Sequence, residues 1–157
     1  MSATHRYRSR LVWSSAESGP TRSYESYSRN HRLETDGKPP LLLSSDPAFR
    51  GDPARHNPED LLLGALASCH MLWYLHLAAA NGIDVRAYRD EAEGVMEMDA
   101  DGGGHFAEVT LCPEVTIAKG GDPVLAERLH ADAARLCFIA RSVNFPVRHR
   151  PRIAIAQ

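Results

Sequence analysis

From Leu61 to Ala80 the chain runs almost without polar side chains, and no other stretch restricts its fold so tightly. Just ahead stand Asn57, Pro58, Glu59 and Asp60. Asn57 is a capping residue, Pro58 suits a first helical position, and two carboxylates complement the positive end of a helix. Asn81-Gly82 supplies the stop. One long helix is therefore expected. A helix that is apolar on nearly all sides has to be covered on nearly all sides. A small domain rarely achieves that alone, so a homodimer is expected. A membrane span is the other solution, but Ser68, Cys69, His70 and His76 interrupt the run and its length is borderline. No membrane partner is expected.

Around this helix the pattern is strand-like. Basic and apolar residues alternate from His5 to Trp13, and a second strand is expected from about Tyr24 to Thr35. The Ser15–Thr21 stretch between them reads as a hairpin connection. Asp36–Pro40 is a turn, Leu41–Leu43 a short apolar run, and Ser44–His56 a loop rich in Asp, Pro, Gly and Arg. Strands return after Gly82, over about Asp84–Asp99 and His105–Lys119, with Gly102-Gly103-Gly104 as the turn. A second helix is expected over about Pro123–Ile139, and Pro151–Ala156 suits a last edge strand. The order of strands, long helix, strands and helix defines an α+β class. A single domain over residues 1–157 fits this length.

Composition excludes several partners. With 18 basic and 20 acidic side chains and a formal charge of -2, nothing favours nucleic acid or an anionic membrane. The first residues, MSATHRYRSRLVW, lack the apolar core and cleavage site of a signal peptide. Three irregularly spaced cysteines do not make a secreted disulfide framework. A cytoplasmic location is expected, where paired cysteines are either catalytic or simply buried.

Cys69 lies about three helical turns past Pro58, too far for the helix dipole to activate a thiol. Any activation has to come from a cation brought in by the fold. Leu62, Leu66, Trp73 and His76 share its helix face at spacings of three, four and seven. A cysteine on an apolar helix is ordinarily core, so alone it leaves core and nucleophile open. Cys137, near the end of the second helix, adds a partner. Two cysteines on different helices meet if the helices pack, whereas their separation rules out a local CxxC motif. Cys112, in a strand-like segment, reads as structural. The eight histidines form no zinc-spaced cluster and no HExxH, so they read as dispersed, with no metal and no cofactor expected.

The run Asn57-Pro58-Glu59-Asp60-Leu61-Leu62, followed by Ala67-Ser68-Cys69-His70-Met71, resembles the osmotically inducible and organic-hydroperoxide-resistance superfamily (OsmC/Ohr). Cys137-Phe138-Ile139-Ala140-Arg141-Ser142-Val143 is similar to the family's second-cysteine segment. The loop Asp46–Pro53 and the continuation Trp73–Leu77 look more like the OsmC-like branch than the Ohr branch. The resemblance spans roughly Tyr24 to Val147. It implies antiparallel sheets packed around two helices, with a long buried central helix, in an intertwined homodimer. It also implies a peroxidatic Cys69, a resolving Cys137, and Glu59 as the acidic residue of the Asn-Pro-Glu motif. The activating arginine matches Arg29, with Arg32 and Arg50 as competitors. One departure is Ala134, where many relatives carry a histidine three residues before the second cysteine.

The implied function is a thiol-dependent peroxidase that reduces organic hydroperoxides to alcohols. A guanidinium beside a thiol favours the thiolate without itself titrating, and a carboxylate such as Glu59 can orient it through bidentate hydrogen bonds. Cys69 would become a sulfenic acid, Cys137 would condense with it to a disulfide, and an external dithiol, of dihydrolipoyl type by resemblance, would restore both thiols. Trp73, Phe138 and Phe49 are candidates for an apolar substrate wall. The alternative is a redox-sensing or ligand-binding protein on the same fold, with little turnover.

Overall fold

The computed structural model describes residues 4–157, and its contacts divide the chain into two compact units that part between Leu61 and Leu62. In the first unit, strands β1 (Arg10–Val12), β2 (His31–Glu34) and β3 (Leu41–Leu43) form an antiparallel sheet in that order. Its register sets Leu11 opposite Leu33 and Arg32 opposite Leu42. Both expected long strands are shorter than their alternation suggested. The serines between them explain why, because their side chains satisfy backbone groups locally and compete with a ladder. Ser14 caps a single helical turn, α1 (Ser15–Ser18), and Ser26 Oγ accepts from the N–H groups of Arg22 and Ser23 at 3.0 Å each.

The Asp- and Pro-rich loop is equally specific. Asp46 caps a 3-10 turn, Pro47–Phe49, and Arg50 follows in the left-handed region at φ 65°. Gly51 passes so close to the Ser45 carbonyl that a Cβ would sit 1.6 Å from its oxygen, so no other residue fits. The loop then returns to β3, where the Ser44 N–H donates to the His56 carbonyl at 2.9 Å.

Helix α2 (Pro58–Ala80) begins there. Asn57 Oδ1 accepts from the Asp60 N–H at 2.8 Å while Asp60 Oδ2 accepts from the Asn57 N–H at 3.3 Å, a reciprocal cap. At its other end Gly82 takes φ 72°, and the Ile83 N–H reaches back to the Ala78 carbonyl at 2.9 Å. Buried Ile83 then joins Ala78 in the core, which completes a Schellman stop.

The second unit contains β4 (Val85–Asp90), β5 (Glu93–Met98), β6 (Gly104–Leu111), β7 (Pro113–Ile117), α3 (Pro123–Leu136), β8 (Val147–His149) and β9 (Arg152–Ile155). The two long strands expected after Gly82 are one long hairpin that bends at a matched level in both arms. Beyond the bend its halves belong to different sheets, β4-β7-β9 and β5-β6-β8. Pro113 has no N–H to give the ladder, and Asp90 Oδ1 takes the Cys112 N–H at 2.7 Å in place of a strand carbonyl. The hairpins are antiparallel, while β8 and β9 add in parallel to β6 and β7 after the α3 crossover. The edge strand β9 falls where Pro151–Ala156 suggested; β8 was not legible.

Within the chain, α2 buries one row of residues one turn apart: Leu66, His70, Tyr74 and Ala78. The row two residues away, Gly64, Ser68, Leu72 and His76, is exposed, with Leu72 at 60%. Tyr74 and Ala78 pack with Val115, Ile117, Leu129 and Ala133, whereas Leu66 packs with Val109 and Leu111. His70 lies between the two clusters on this row. Its Nε2 is 2.9 Å from Nδ1 of buried His130 on α3, and the Tyr74 ring stacks on His130 at 4.0 Å. Burial holds His70 down to about 4, with nearby His149 adding to the effect. Burial likewise holds His130 down to about 3, helped by His70 and His149.

These neutral histidines make stability depend on pH. Above pH 6.5 they are uncharged in both folded and unfolded chains, so they contribute no slope. Below it the unfolded chain takes up protons that the native core refuses, and stability falls toward pH 4, by roughly 3 kcal/mol for His70 alone. Urea midpoints measured from pH 7.5 to 4.5 are expected to drop accordingly, and a His70→Phe/His130→Phe variant to lose most of that slope. An unchanged slope in the variant would assign the effect to carboxylates instead.

Candidate active site

Cys69 is half-buried on α2, one turn before Trp73. Cys137 is reached from α3. That helix is capped by Asp122, whose Oδ1 accepts from the Val124 and Leu125 N–H groups, and it buries Ala126, Leu129, His130 and Ala133. Cys137 is the next position on this buried face, one turn after Ala133 and only 1% exposed. It also ends the helix: its N–H still donates to the Ala133 carbonyl at 2.9 Å, but its backbone is extended. The chain then turns so that the Ala140 N–H donates to Cys137 Sγ at 3.4 Å.

The two thiols are neighbours, and both are free. Burial pushes the Cys137 thiol up to about 11; the Ala140 N–H opposes that rise and the Cys69 thiol adds to it. Beside them, Trp73 and Phe138 meet edge to face, with ring centroids 5.5 Å apart. Phe138 is 64% exposed, so this aromatic pair forms a rim rather than core. Cys69, Cys137, Trp73 and Phe138 are thus brought together in the second unit.

Arg29, Glu59 and Phe49 belong to the first unit. Arg29 is held firmly: Nη1 donates to the Tyr27 carbonyl and Nη2 to the Tyr24 carbonyl, both at 2.6 Å. Its guanidinium lies 4.1 Å from the Tyr27 ring centre and 4.4 Å from that of Tyr24. It forms part of the wall of a cleft of about 450 Å³, with Leu11, Trp13, Tyr27, Ser44 and Pro58. Arg32 instead pairs with Glu34 at 2.8 Å and Glu17 at 3.5 Å. Arg50 sits on the loop, 6.0 Å from the Tyr24 ring. Glu59 does not pair with Arg29 in this unit. Its Oε2 is buried without a hydrogen-bond partner, while Arg29 donates to carbonyls. Phe49 is half-exposed on its 3-10 turn and does not line the Arg29 cleft, whose apolar wall comes from Leu11, Trp13 and Tyr27.

Cys112 occupies the bend of the long hairpin, and its N–H is held by Asp90. No group of three or more His, Cys, Asp or Glu side chains able to hold a metal occurs among the described residues. The histidines are nevertheless not all dispersed, since His70, His130 and His149 converge. A signal for this was present in the sequence: His70 and His130 both fall on core positions of their helices.

A neighbouring pair of cysteines, one half-exposed on a long apolar helix and one buried at the end of a second helix, defines an α+β two-thiol protein. A family model described as "OsmC-like protein" matches residues 51–151, and the chain belongs to that family. It is similar to the structure of an OsmC-like protein of unknown function from Vibrio cholerae, at 29% identity and TM-score 0.83, over 95% of this chain and 100% of that one. An organic hydroperoxide resistance protein OsmC from Legionella pneumophila shares the fold at 19% identity and TM-score 0.67, covering 98% and 99% of the two chains. The organic hydroperoxide resistance protein OhrB of Bacillus subtilis does so at 19% and 0.63, covering 96% and 100%. Uncharacterized protein YmaD of Bacillus subtilis (strain 168) is 27% identical over 91 residues, which span 56% of this chain and 60% of that relative's length.

The burial of Cys137 predicts a reactivity order. At pH 8 a thiol held near 11 is about one-thousandth thiolate, so native-state alkylation by iodoacetamide is expected to reach Cys137 at least about ten-fold later than Cys69 or Cys112. Peptide mapping by mass spectrometry after timed quenching reads this directly. Equal labelling of all three thiols would contradict it.

Proposed function

We propose that the protein is a thiol peroxidase that reduces organic hydroperoxides, with Cys69 as the reacting thiol and Cys137 as the resolving one. The observation that carries this reading is that a half-exposed and a fully buried thiol are neighbours, on two helices joined by the His70–His130 hydrogen bond. The Cys69 thiolate attacks the distal peroxide oxygen, the O–O bond breaks, and the alcohol leaves after taking up a proton. Cys69 is left as a sulfenic acid. The Cys137 sulfur then bonds to the Cys69 sulfur, and the sulfenic hydroxyl departs as water with the Cys137 proton. An external dithiol of dihydrolipoyl type reduces the disulfide by exchange, leaving both thiols and an oxidised dithiol.

The burial asymmetry supports this division of labour. At neutral pH Cys137 is a protonated thiol and a poor competitor for peroxide, but it stands next to the sulfur it must capture. Arg29 is the proposed activating cation. Its fixed guanidinium beside an apolar cleft supports that choice over Arg32, whose charge is matched by two glutamates. Glu59 is the proposed orienting carboxylate, and its unpartnered buried oxygen supports a role for a cation there. Trp73 and Phe138 are the proposed apolar rim for the organic group, with Phe49 a weaker candidate. The proposed working form is a cytoplasmic homodimer in which residues 1–157 act as one domain, because a second copy would cover the exposed row of α2.

Dithiol-dependent consumption of tert-butyl hydroperoxide, compared with hydrogen peroxide, tests the reading. Wild type is expected to turn over and to prefer the alkyl substrate, Cys69→Ser to be inactive, and Arg29→Ala to lose at least about ten-fold in rate. Negligible wild-type turnover would leave a redox-sensing or ligand-binding role on this fold. Cys137→Ser is expected to react once and to accumulate a sulfenic acid that dimedone traps. An intact intramolecular disulfide in that variant, seen by intact mass, would refute the pairing.

A further inference from the structure

We propose that the hydrogen bond between His70 and His130 is a positioning clamp that holds Cys69 and Cys137 in register for disulfide closure. The inference rests on the two-cysteine reading above and assigns it two further residues, neither of which need touch substrate. His70 directly follows Cys69 on α2, and His130 lies two turns before Cys137 on the same face of α3. Their ring nitrogens meet at 2.9 Å, with the residues 1% and 0% exposed. The contact thus joins the two helices that carry the cysteines, directly beside Cys69 in sequence and two turns from Cys137.

The seam around it explains why a clamp is needed. In the buried cluster that includes residues of both helices, Ala78, Ala126 and Ala133 are alanines. Small apolar side chains pack in more than one register, since dispersion contacts are individually weak and undirected. A hydrogen bond is directional, and sliding one helix would leave two buried nitrogens unpaired. One residue of slip is 1.5 Å along the axis. A disulfide needs Cβ atoms about 3.5–4.5 Å apart, so slip on this scale takes the pair out of reach. Tyr74, one turn from His70, stacks flat on His130 at 4.0 Å and fixes the plane of its ring.

Stability alone does not account for the pair. His130 Nε2 is buried without a partner, a cost that an apolar residue of similar size would avoid. Buried polar contacts of this kind are best attested where they fix a register.

The test uses the full-length chain, and its main readout needs no peroxide. The effective concentration of the Cys69–Cys137 thiol pair is measured by equilibration with a glutathione redox buffer. His130→Phe keeps an aromatic ring on Tyr74 but loses the nitrogen, and the effective concentration is expected to fall about ten-fold. His130→Asn places an amide where Nδ1 stood and is expected to recover most of the loss. In a separate reaction with added tert-butyl hydroperoxide, dimedone-trapped sulfenic acid on Cys69 is expected to form at a rate changed far less than closure. Should His130→Phe not fold, His130→Gln, whose amide is shifted along the side chain, is expected to show the same fall.

An unchanged effective concentration with only a lowered Tm would overturn the clamp and leave the pair merely structural, as would failure of wild type to form the disulfide in the buffer. A lowered effective concentration in His130→Phe, together with no sulfenic acid in wild type, would uphold the clamp while removing the peroxidase reading.

Discussion

The packing of α2 against its own sheets and α3 along one row, Leu66, His70, Tyr74 and Ala78, is the constraint on which the second unit depends. Leu66 joins the cluster under the β5-β6-β8 sheet, and Tyr74 and Ala78 join the cluster formed by β7 and α3. Fully burying one side chain such as Leu66 is worth about 1.5–3 kcal/mol, so the row ties together two sheets that a bend in the hairpin has separated. His70 falls between the clusters. A polar residue there does not disrupt a continuous apolar core, because the two apolar clusters divide on either side of it.

From that row the chemistry follows by short steps of helix geometry. Cys69 precedes the buried position, so it lies off the core and retains partial exposure. Cys137 continues the buried face of α3, so it is covered, and burial raises its pKa. The asymmetry between the thiols is therefore a property of where each falls on its helix rather than of any special neighbour. It also predicts the order of labelling, since an accessible sulfur meets a reagent before a covered one.

Much of this was legible from the residues. The caps of α2, Asn57 and Gly82, and the start of α3 at Pro123 are short-range signals, and local chemistry decides them. The Cys69 and Cys137 segments were legible as a family pattern. What the residues do not announce is non-local. Pro113, directly after Cys112, is a local signal of an interrupted ladder, but the contact between Asp90 and Cys112 that fixes the bend joins residues far apart in the chain. The strands around Ser14 and Ser26 were overestimated because alternation was weighed without the serines' competing hydrogen bonds. A pairing such as that of His70 with His130, across two helices, has no spacing rule in the sequence. The Arg29–Glu59 bond was expected from resemblance, and in this unit Arg29 is held by Tyr24 and Tyr27 instead.

The face of α2 opposite the buried row poses the last physical question. The helix is long and apolar enough to cross a membrane by length and composition, with a mean hydropathy of 1.5 in its most apolar window, yet only 22% of that window is buried within the chain. Gly64, Ser68, Leu72 and His76 line the exposed row. Lipid-facing positions favour continuous large apolar side chains, and a histidine is costly there. Small residues that let another backbone approach closely, around a single large Leu72, suit protein packing better. The same helix already carries two buried polar rings, His70 and Tyr74, on its core side, which a span through hydrocarbon would have no reason to retain. The exposed row, with Gly64, Ser68 and His76 around a single Leu72, therefore differs from the continuous large apolar surface that lipid-facing positions favour.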